Sequence, residues 1–365
     1  MAVYIRNLAE AVTGEVAHFG RPLFARPWRF LRVSCLILRH MPLIGPIGLQ
    51  TCDDGFIPFS ANFFCEEFPM LLTRHLDANA TLVSLVQPLT TRDGFAPTAL
   101  PGVQVLRASC DVARGPQIYE PSLVIIAQGS KLAYLGPRRL EYGAGHYLIQ
   151  ALPVPFECET FAAPDGPMLG VSIAIDRVLL GELVLAMGLA PGRHIPAQTP
   201  ESMTSAVLDD AMRGCVERLL RCLHDPLECQ IMGQARLREL LFVALRGPQA
   251  DVLRALVEQQ GQFARIAASL NHLHGHYTEP LNVETLASCA NMSASTFHEH
   301  FKRSTLLSPV QYLKRLRLLK AQALLVTEGL GVAQVAHRVG YQSTSQFSRE
   351  YKRYFERSPG DERAA

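Results

Sequence analysis

The last hundred residues of this chain state one pattern twice. Phe301-Lys-Arg-Ser-Thr-Leu-Leu-Ser-Pro309 returns about fifty residues later as Tyr351-Lys-Arg-Tyr-Phe-Glu-Arg-Ser-Pro359. Upstream of each, Val283-Glu-Thr-Leu-Ala287 returns as Val332-Ala-Gln-Val-Ala336. A repeat of that size is one supersecondary unit, and the spacing inside it dictates which one.

In the first unit, Val283, Leu286, Ala287 and Ala290 fall at i, i+3, i+4 and i+7, the apolar face of a short helix. Ala287 is small where a second helix must come close. Ser293 stands as the N-cap of that second helix, and Phe297 and Phe301 form its buried stripe. In the second unit Val332, Val335, Ala336 and Val339 repeat the face, and Gly340 supplies the turn. Ser343 with Gln346 predicts a capping box, and Phe347 with Tyr351 the stripe. Helix, tight turn and capped second helix are the grammar of a helix-turn-helix.

Between the units, Ser308 and Pro309 read as N-cap and N1 of a helix running through Val326. Its stripe is Leu313, Leu316, Leu318, Ala321, Leu324 and Leu325. Such a helix is roughly 27 Å long at 1.5 Å per residue. The major groove of B-DNA returns to one face every ~34 Å. A rod of this size can hold two short helices for neighbouring turns of one duplex.

The segments SASTFHEHFK (293–302), SPVQYLKRLRLLKAQALL (308–325) and VGYQSTSQFSREYKRYFERSP (339–359) resemble the DNA-binding domain of the AraC/XylS family of bacterial regulators, over about residues 265–360. Residues 103–245, with IYEPSLVIIAQGSK (118–131), more loosely resemble the N-terminal domain of one branch of that family. The resemblance implies a cupin-like barrel followed by helices, a domain that senses a small molecule or pairs subunits. It also implies promoter or operator DNA, a small-molecule effector and RNA polymerase as partners, pairing into a homodimer, and a cytoplasmic location.

Exposed positions on the second helix of each unit should face base edges: Ser295, His298 and Glu299 in the first, Thr344, Ser345 and Arg349 in the second. An arginine at 349 can bond a guanine with two parallel hydrogen bonds. Lys302, Arg303, Lys352 and Arg353 should meet phosphates and set register and salt dependence. The chain departs from the family in three places. Glu299 stands where the family usually has arginine, and a carboxylate there can accept from cytosine N4. Leu306 and Glu356 replace the glycine that precedes each Ser-Pro, which costs on the order of 1 kcal/mol each if the backbone is left-handed there.

Charge follows the same division. Residues 265–365 hold thirteen Lys and Arg against eight Asp and Glu, a net +5, whereas the rest of the chain carries −3. A basic tail on a slightly acidic body suits a polyanion. Short runs at Ser122–Gln128, Lys131–Leu135 and Tyr147–Leu152 are separated by Gly129-Ser130, Gly136-Pro137 and Gly143-Ala144-Gly145, and read as strands of an antiparallel sandwich or barrel. The period turns helical at Asp176. A short helix over 176–187 is followed by helices at Ser202–His224 and Leu227–Arg246, broken at Asp225-Pro226. Residues 1–69, which contain Trp28, hold no steady period and read as a poorly ordered extension, with Met70 an alternative start. The expected fold is therefore α+β. An extension (1–69) precedes a cupin-like antiparallel β-barrel with flanking helices (70–190), a helical linker and dimerisation region (191–260), and an all-α domain of tandem helix-turn-helix units (261–360).

Other constellations carry less. Nine cysteines, an odd number without CxxC or Cys/His zinc spacing, read as thiols in a reducing cytosol. Cys215, Cys222 and Cys229 recur every seven residues and would line one helix as a redox stripe, but Asp225-Pro226 interrupts it. His272 and His276 share a helix face without a third ligand, so no metal and no cofactor are expected. His146 is the only histidine between 100 and 175, which rules out a metal triad there, and no GxSxG, phosphate loop or HExxH is present. The chain is not read as an enzyme; a barrel enzyme with a DNA-binding appendage is the competing class. Tyr119, Gln128, Lys131 and His146 are the effector-binding candidates. No apolar run is long enough to span a bilayer, so no membrane partner is expected. The leading reading is an effector-responsive transcription regulator; the alternative is a constitutive DNA-binding regulator whose front domain only dimerises.

Overall fold

Ser122–Gln128 carries Leu-Val-Ile-Ile-Ala with no polar break, the pattern of a strand covered on both faces. In the computed structural model, which describes residues 80–189, 200–258 and 261–364, six of its seven residues are buried. The strand is β4. In chain order β1 (Gly94–Pro97), β2 (Val103–Ala108) and β3 (Val112–Gln117) precede it. After it come β5 (Ser130–Leu135), β6 (Arg138–Gly143), β7 (His146–Gln150), β8 (Phe156–Phe161), β9 (Met168–Ala174) and β10 (Met203–Val207).

These strands form two antiparallel sheets, ordered β1-β2-β9-β4-β7-β10 and β3-β8-β5-β6. The second sheet passes from β4 through a tight turn at Gly129, whose φ is +77°. A Cβ there would lie 2.6 Å from the Phe161 carbonyl oxygen, so no other residue fits. The expected closed barrel is not formed, because its sheets keep separate edges. On β3 the register slips between Val112 and Gly115, and Pro116 has no amide proton to donate to a further strand. The opposite edge, β6, carries Arg138, Arg139 and Glu141.

The three strand runs expected between 122 and 152 lie within one or two residues of β4, β5 and β7. Ser202–His224 does not form one helix. Met203–Val207 is a strand whose register runs from Met203 opposite Gln150 to Val207 opposite His146. Pairing with β7 buries Met203, Thr204 and Ala206, and that burial outweighs local helical preference. The helix begins only after its N-cap, Asp209.

Besides a helical stretch over 80–89 ahead of β1, the helices before the first unit are α1 (Arg177–Ala186), α2 (Asp210–Cys222), α3 (Pro226–Ala244), α4 (Ala250–Val257) and α5 (Gln262–Gly275). Asp176 caps α1, and Asp225 with Pro226 starts α3, so the break expected there is present. Cys215, Cys222 and Cys229 are buried core residues of α2 and α3. The first unit is α6 (Val283–Cys289) and α7 (Ala294–Thr305). The connecting helix is α8 (Pro309–Glu328), the second unit is α9 (Val332–Arg338) and α10 (Thr344–Phe355), and α11 (Pro359–Ala364) follows. At 20 residues α8 is two longer than expected, about 30 Å. The β-rich N-terminal part and the helical C-terminal part belong to one compact unit, Asn62–Ala365. The extension expected over 1–69 and the linker at 191–199 lie outside the described residues.

The cores are divided unequally. One cluster runs from the sheets through α1–α5 into the first unit, and its last members are Tyr312, Leu313 and Leu316. A separate cluster fills the second unit: Leu318, Ala321 and Leu325 of α8 with Val335, Ala336, Val339, Phe347 and Tyr351.

Candidate nucleic-acid interface

The two short second helices are built alike. On α7 the Ser293 hydroxyl accepts from the Thr296 amide, and Phe297 and Phe301 are fully buried. On α10 the Ser343 hydroxyl accepts from the Gln346 amide, and Phe347 and Tyr351 are fully buried. The expected capping box at Ser343 is only half made, because the Gln346 side chain donates instead to Glu350 at 3.2 Å. A full box forms at Ser308, where Gln311 Oε1 accepts from the Ser308 amide at 3.1 Å. Both second helices end in a left-handed residue, Leu306 with φ 60° and Glu356 with φ 62°.

With one stripe inward, the opposite face of each helix is set by geometry. Ser295, His298, Glu299, Lys302 and Arg303 are exposed on α7; Thr344, Ser345, Arg349, Lys352 and Arg353 are exposed on α10. All ten expected positions are therefore open to a duplex. Their charge differs between the units. On α7, Arg303 donates to Gln262 Oε1 of α5 at 2.8 Å, contacts His300 Nδ1, and lies 4.0 Å from Glu299 Oε1. Burial and the Arg303 charge hold the His300 imidazole below its ordinary value. Arg303 is thus bound into its own unit, and Lys302 is the freer cation. On α10, Glu350 turns inward to Lys314 Nζ at 3.1 Å and accepts from the Tyr341 hydroxyl at 2.8 Å, while the adjacent Arg349 is exposed.

Two features were not foreseen. Gln311, Lys314 and Arg315 of α8 form a groove with Glu350, Arg353 and Tyr354 of α10, about 230 Å³ in volume. The signal was present: 311, 314 and 315 are the polar positions beside the α8 stripe. The second is the contact between the β-rich part and the helical part. Tyr312 on α8 is fully buried and donates to the Pro153 carbonyl, and His274 Nε2 of α5 lies 2.7 Å from the same hydroxyl. The other ring nitrogen of His274 is 3.5 Å from Glu120 Oε1. The flanking His272 and His276, weighed as a metal pair, instead stack at 4.2 Å between ring centres.

Of the four effector candidates, two meet. Lys131 Nζ donates to the Tyr119 hydroxyl at 3.2 Å, both buried between the sheets. Gln128 instead donates to the Pro167 carbonyl, and His146 opens β7 opposite Ile126 and Val207. Tyr119 also lines a cavity of about 540 Å³ with Phe95, Glu120, Ser122, Ser172 and, from α8, Lys320. Among the described residues no helix is long and apolar enough to cross a membrane.

Known proteins show the same two-part organisation. Residues 99–252 match the family model described as AraC-type transcriptional regulator N-terminus, and residues 286–365 match the model described as helix-turn-helix domain. The HTH-type transcriptional activator RhaS of Citrobacter koseri is 37% identical over 127 residues, 34% of this chain and 44% of that one. RhaS of Enterobacter sp. strain 638 is 36% identical over 125 residues, 33% and 44% of the two chains. The matched segment thus spans less than half the length of these curated relatives. An apo ToxT variant from Vibrio cholerae strain SCE256 shares the fold at 10% identity, with a TM-score of 0.50, covering 74% of this chain and 98% of its own. The capped tandem units and both matched models place the chain in the AraC/XylS family of transcription regulators, with an AraC-type N-terminal domain.

Proposed function

We propose that this protein is a cytoplasmic, sequence-specific DNA-binding transcription regulator whose N-terminal part responds to a small-molecule effector. One observation carries the reading: two matched helices, each with its aromatic stripe inward and a polar, cation-bearing face outward, are joined by one 20-residue helix. Arg349 is assigned to a base edge, and Lys302, Lys352 and Arg353 to phosphates. Ser295, His298, Glu299, Thr344 and Ser345 complete the reading faces, and Arg303 serves through its brace to Gln262. Rounds of selection from a random duplex library with the full-length chain test this; recovery of no enriched sequence would refute it.

The effector half of the proposal is supported by the 540 Å³ cavity, which Tyr119 and Glu120 share with Lys320 of the connecting helix. A ligand seated there would touch both parts at once. Of the four candidates Tyr119 lines it, Lys131 reaches it only through its hydrogen bond to the Tyr119 hydroxyl, and Gln128 and His146 lie apart, so Tyr119 is the strongest effector candidate. The working division is 70–190 for a cupin-like effector domain, 191–260 for linker and dimerisation, and 261–360 for DNA reading, with β10 (Met203–Val207) of the middle part adding the edge strand to the first part's sheet. Homodimer formation and contact with RNA polymerase belong to the same proposal, and catalysis does not. A screen for ligands that raise the melting temperature separates effector response from the constitutive alternative.

A further inference from the structure

The two recognition helices belong to two separate cores, and the boundary between them falls inside α8. Leu316 belongs to the first cluster and Leu318 to the second. Arg317 stands between them. Its side chain reaches back to the loop that joins α5 to α6, where Nε donates to the Tyr277 carbonyl at 2.7 Å and Nη2 to the Glu279 carbonyl at 2.7 Å. Thr278, held between those two acceptors, is the seat of the second unit's turn. Gly340 lies against it with φ +87°, and a Cβ at 340 would come 2.3 Å from the Thr278 carbonyl oxygen. The Tyr277 ring packs against both clusters. First unit, connecting helix and second unit therefore meet at three consecutive residues.

We infer that Arg317 is a positioning residue that fixes the distance and angle between the two recognition helices, and so selects the spacing of the two half-sites it reads. This rests on the DNA-binding reading above. A rigid planar fork that grips two carbonyls resists rotation about the α8 axis, which a single flexible ammonium would not. Each base pair inserted between half-sites displaces one of them by about 3.4 Å and turns it by about 34°. A locked pair of helices cannot follow that movement; an unlocked pair can.

The test uses full-length protein and a two-half-site duplex recovered from a random library, rebuilt with one or two base pairs added or removed between its halves. Wild type should lose about tenfold or more in affinity per base-pair error, as when one set of base contacts is lost. Arg317→Lys should flatten that loss to under about threefold, with affinity for an isolated half-site and its salt dependence unchanged, because Arg317 bonds two carbonyls of the α5–α6 loop and is not among the residues assigned to DNA. A merely structural residue would weaken all duplexes alike. An Arg317→Lys spacing profile that overlays the wild type overturns the inference. So does a wild-type profile that is already flat, a measurement that needs no variant to fold. Failure of wild type to enrich any duplex removes the DNA-binding reading itself, and the inference with it.

Discussion

The hydroxyl of Tyr312, on the first turn of α8, donates to the backbone carbonyl of Pro153, between β7 and β8 and 159 positions away in the chain. Burial pushes the Tyr312 phenol well above its ordinary value, so this donor stays protonated throughout the working range. Tyr312→Phe keeps the ring and removes the donor, leaving a buried carbonyl without it. The expected loss of stability is about 1–3 kcal/mol, read as a lower urea midpoint with an unchanged slope. An unchanged midpoint would mean that the β-rich and helical parts are held together elsewhere.

Arg349 and Lys352 are both exposed on α10 but should fail differently. Arg349→Ala should cost roughly 1–3 kcal/mol on the selected duplex and relax preference at one base pair. Lys352→Ala should weaken all sequences alike and reduce the salt slope by about one. Titrations at several salt concentrations on selected and scrambled duplexes check both. Loss of sequence preference in the lysine variant would reverse the assignment.

Glu299 is three-quarters exposed on the reading face of α7. Glu299→Arg should bring a new guanine preference to the half-site read by the first unit, worth about 1–3 kcal/mol for a bidentate contact. Repeating the selection with the variant is the measurement, and enriched sequences identical to the wild-type set would count against α7 as a reader.

Leu306 and Glu356 occupy left-handed backbone where a side chain is strained. Glu356→Gly should raise the unfolding free energy by about 1 kcal/mol. Leu306→Gly should gain less, because the Leu306 side chain also packs near Gly136 of the β5–β6 turn. Thermal melts of the two variants rank these effects.

Glu350 supplies one part of the pH dependence. Burial raises its carboxyl, but hydrogen bonds from Tyr341, Gln346 and Lys314 outweigh that and hold it below the ordinary 4.5. A depressed carboxyl contributes stability that is full above the unfolded value and drains as pH falls through the folded one. Wild type should therefore outlast Glu350→Gln in thermal melts near neutrality and lose that advantage below about pH 4.5. A constant gap between the two across that window would show that the charge of Glu350 does not matter.

The helical half was legible because its rules are local. Ser293, Ser308 and Ser343 are caps three residues before the amides they accept, and Phe297, Phe301, Phe347 and Tyr351 repeat at helical spacing. The strands were legible where turn residues bounded them, as at Gly129 and Gly136. What the sequence could not show depended on distant partners. Met203–Val207 became a strand because the free edge of β7 was there to pair with it. The Gln346 side chain turns its Nε2 to Glu350, one helical turn on, rather than its oxygen to the Ser343 amide. Lys131 and Tyr119 meet only after two sheets have packed, and His274, passed over between two more conspicuous histidines, gains its role from Tyr312 and Glu120 on other elements.

The strand order has a further consequence for the chain before it is finished. Ser122–Gln128 has the composition that stacks into fibrils, apolar, β-branched and uncharged. It lies inside the larger sheet with β9 on one side and β7 on the other, and β9 is made only after some forty further residues. Until then the segment has an open flank. Protection against self-association therefore depends on how quickly synthesis delivers Met168–Ala174, and slow translation between these two strands is when this protein is most exposed to clumping.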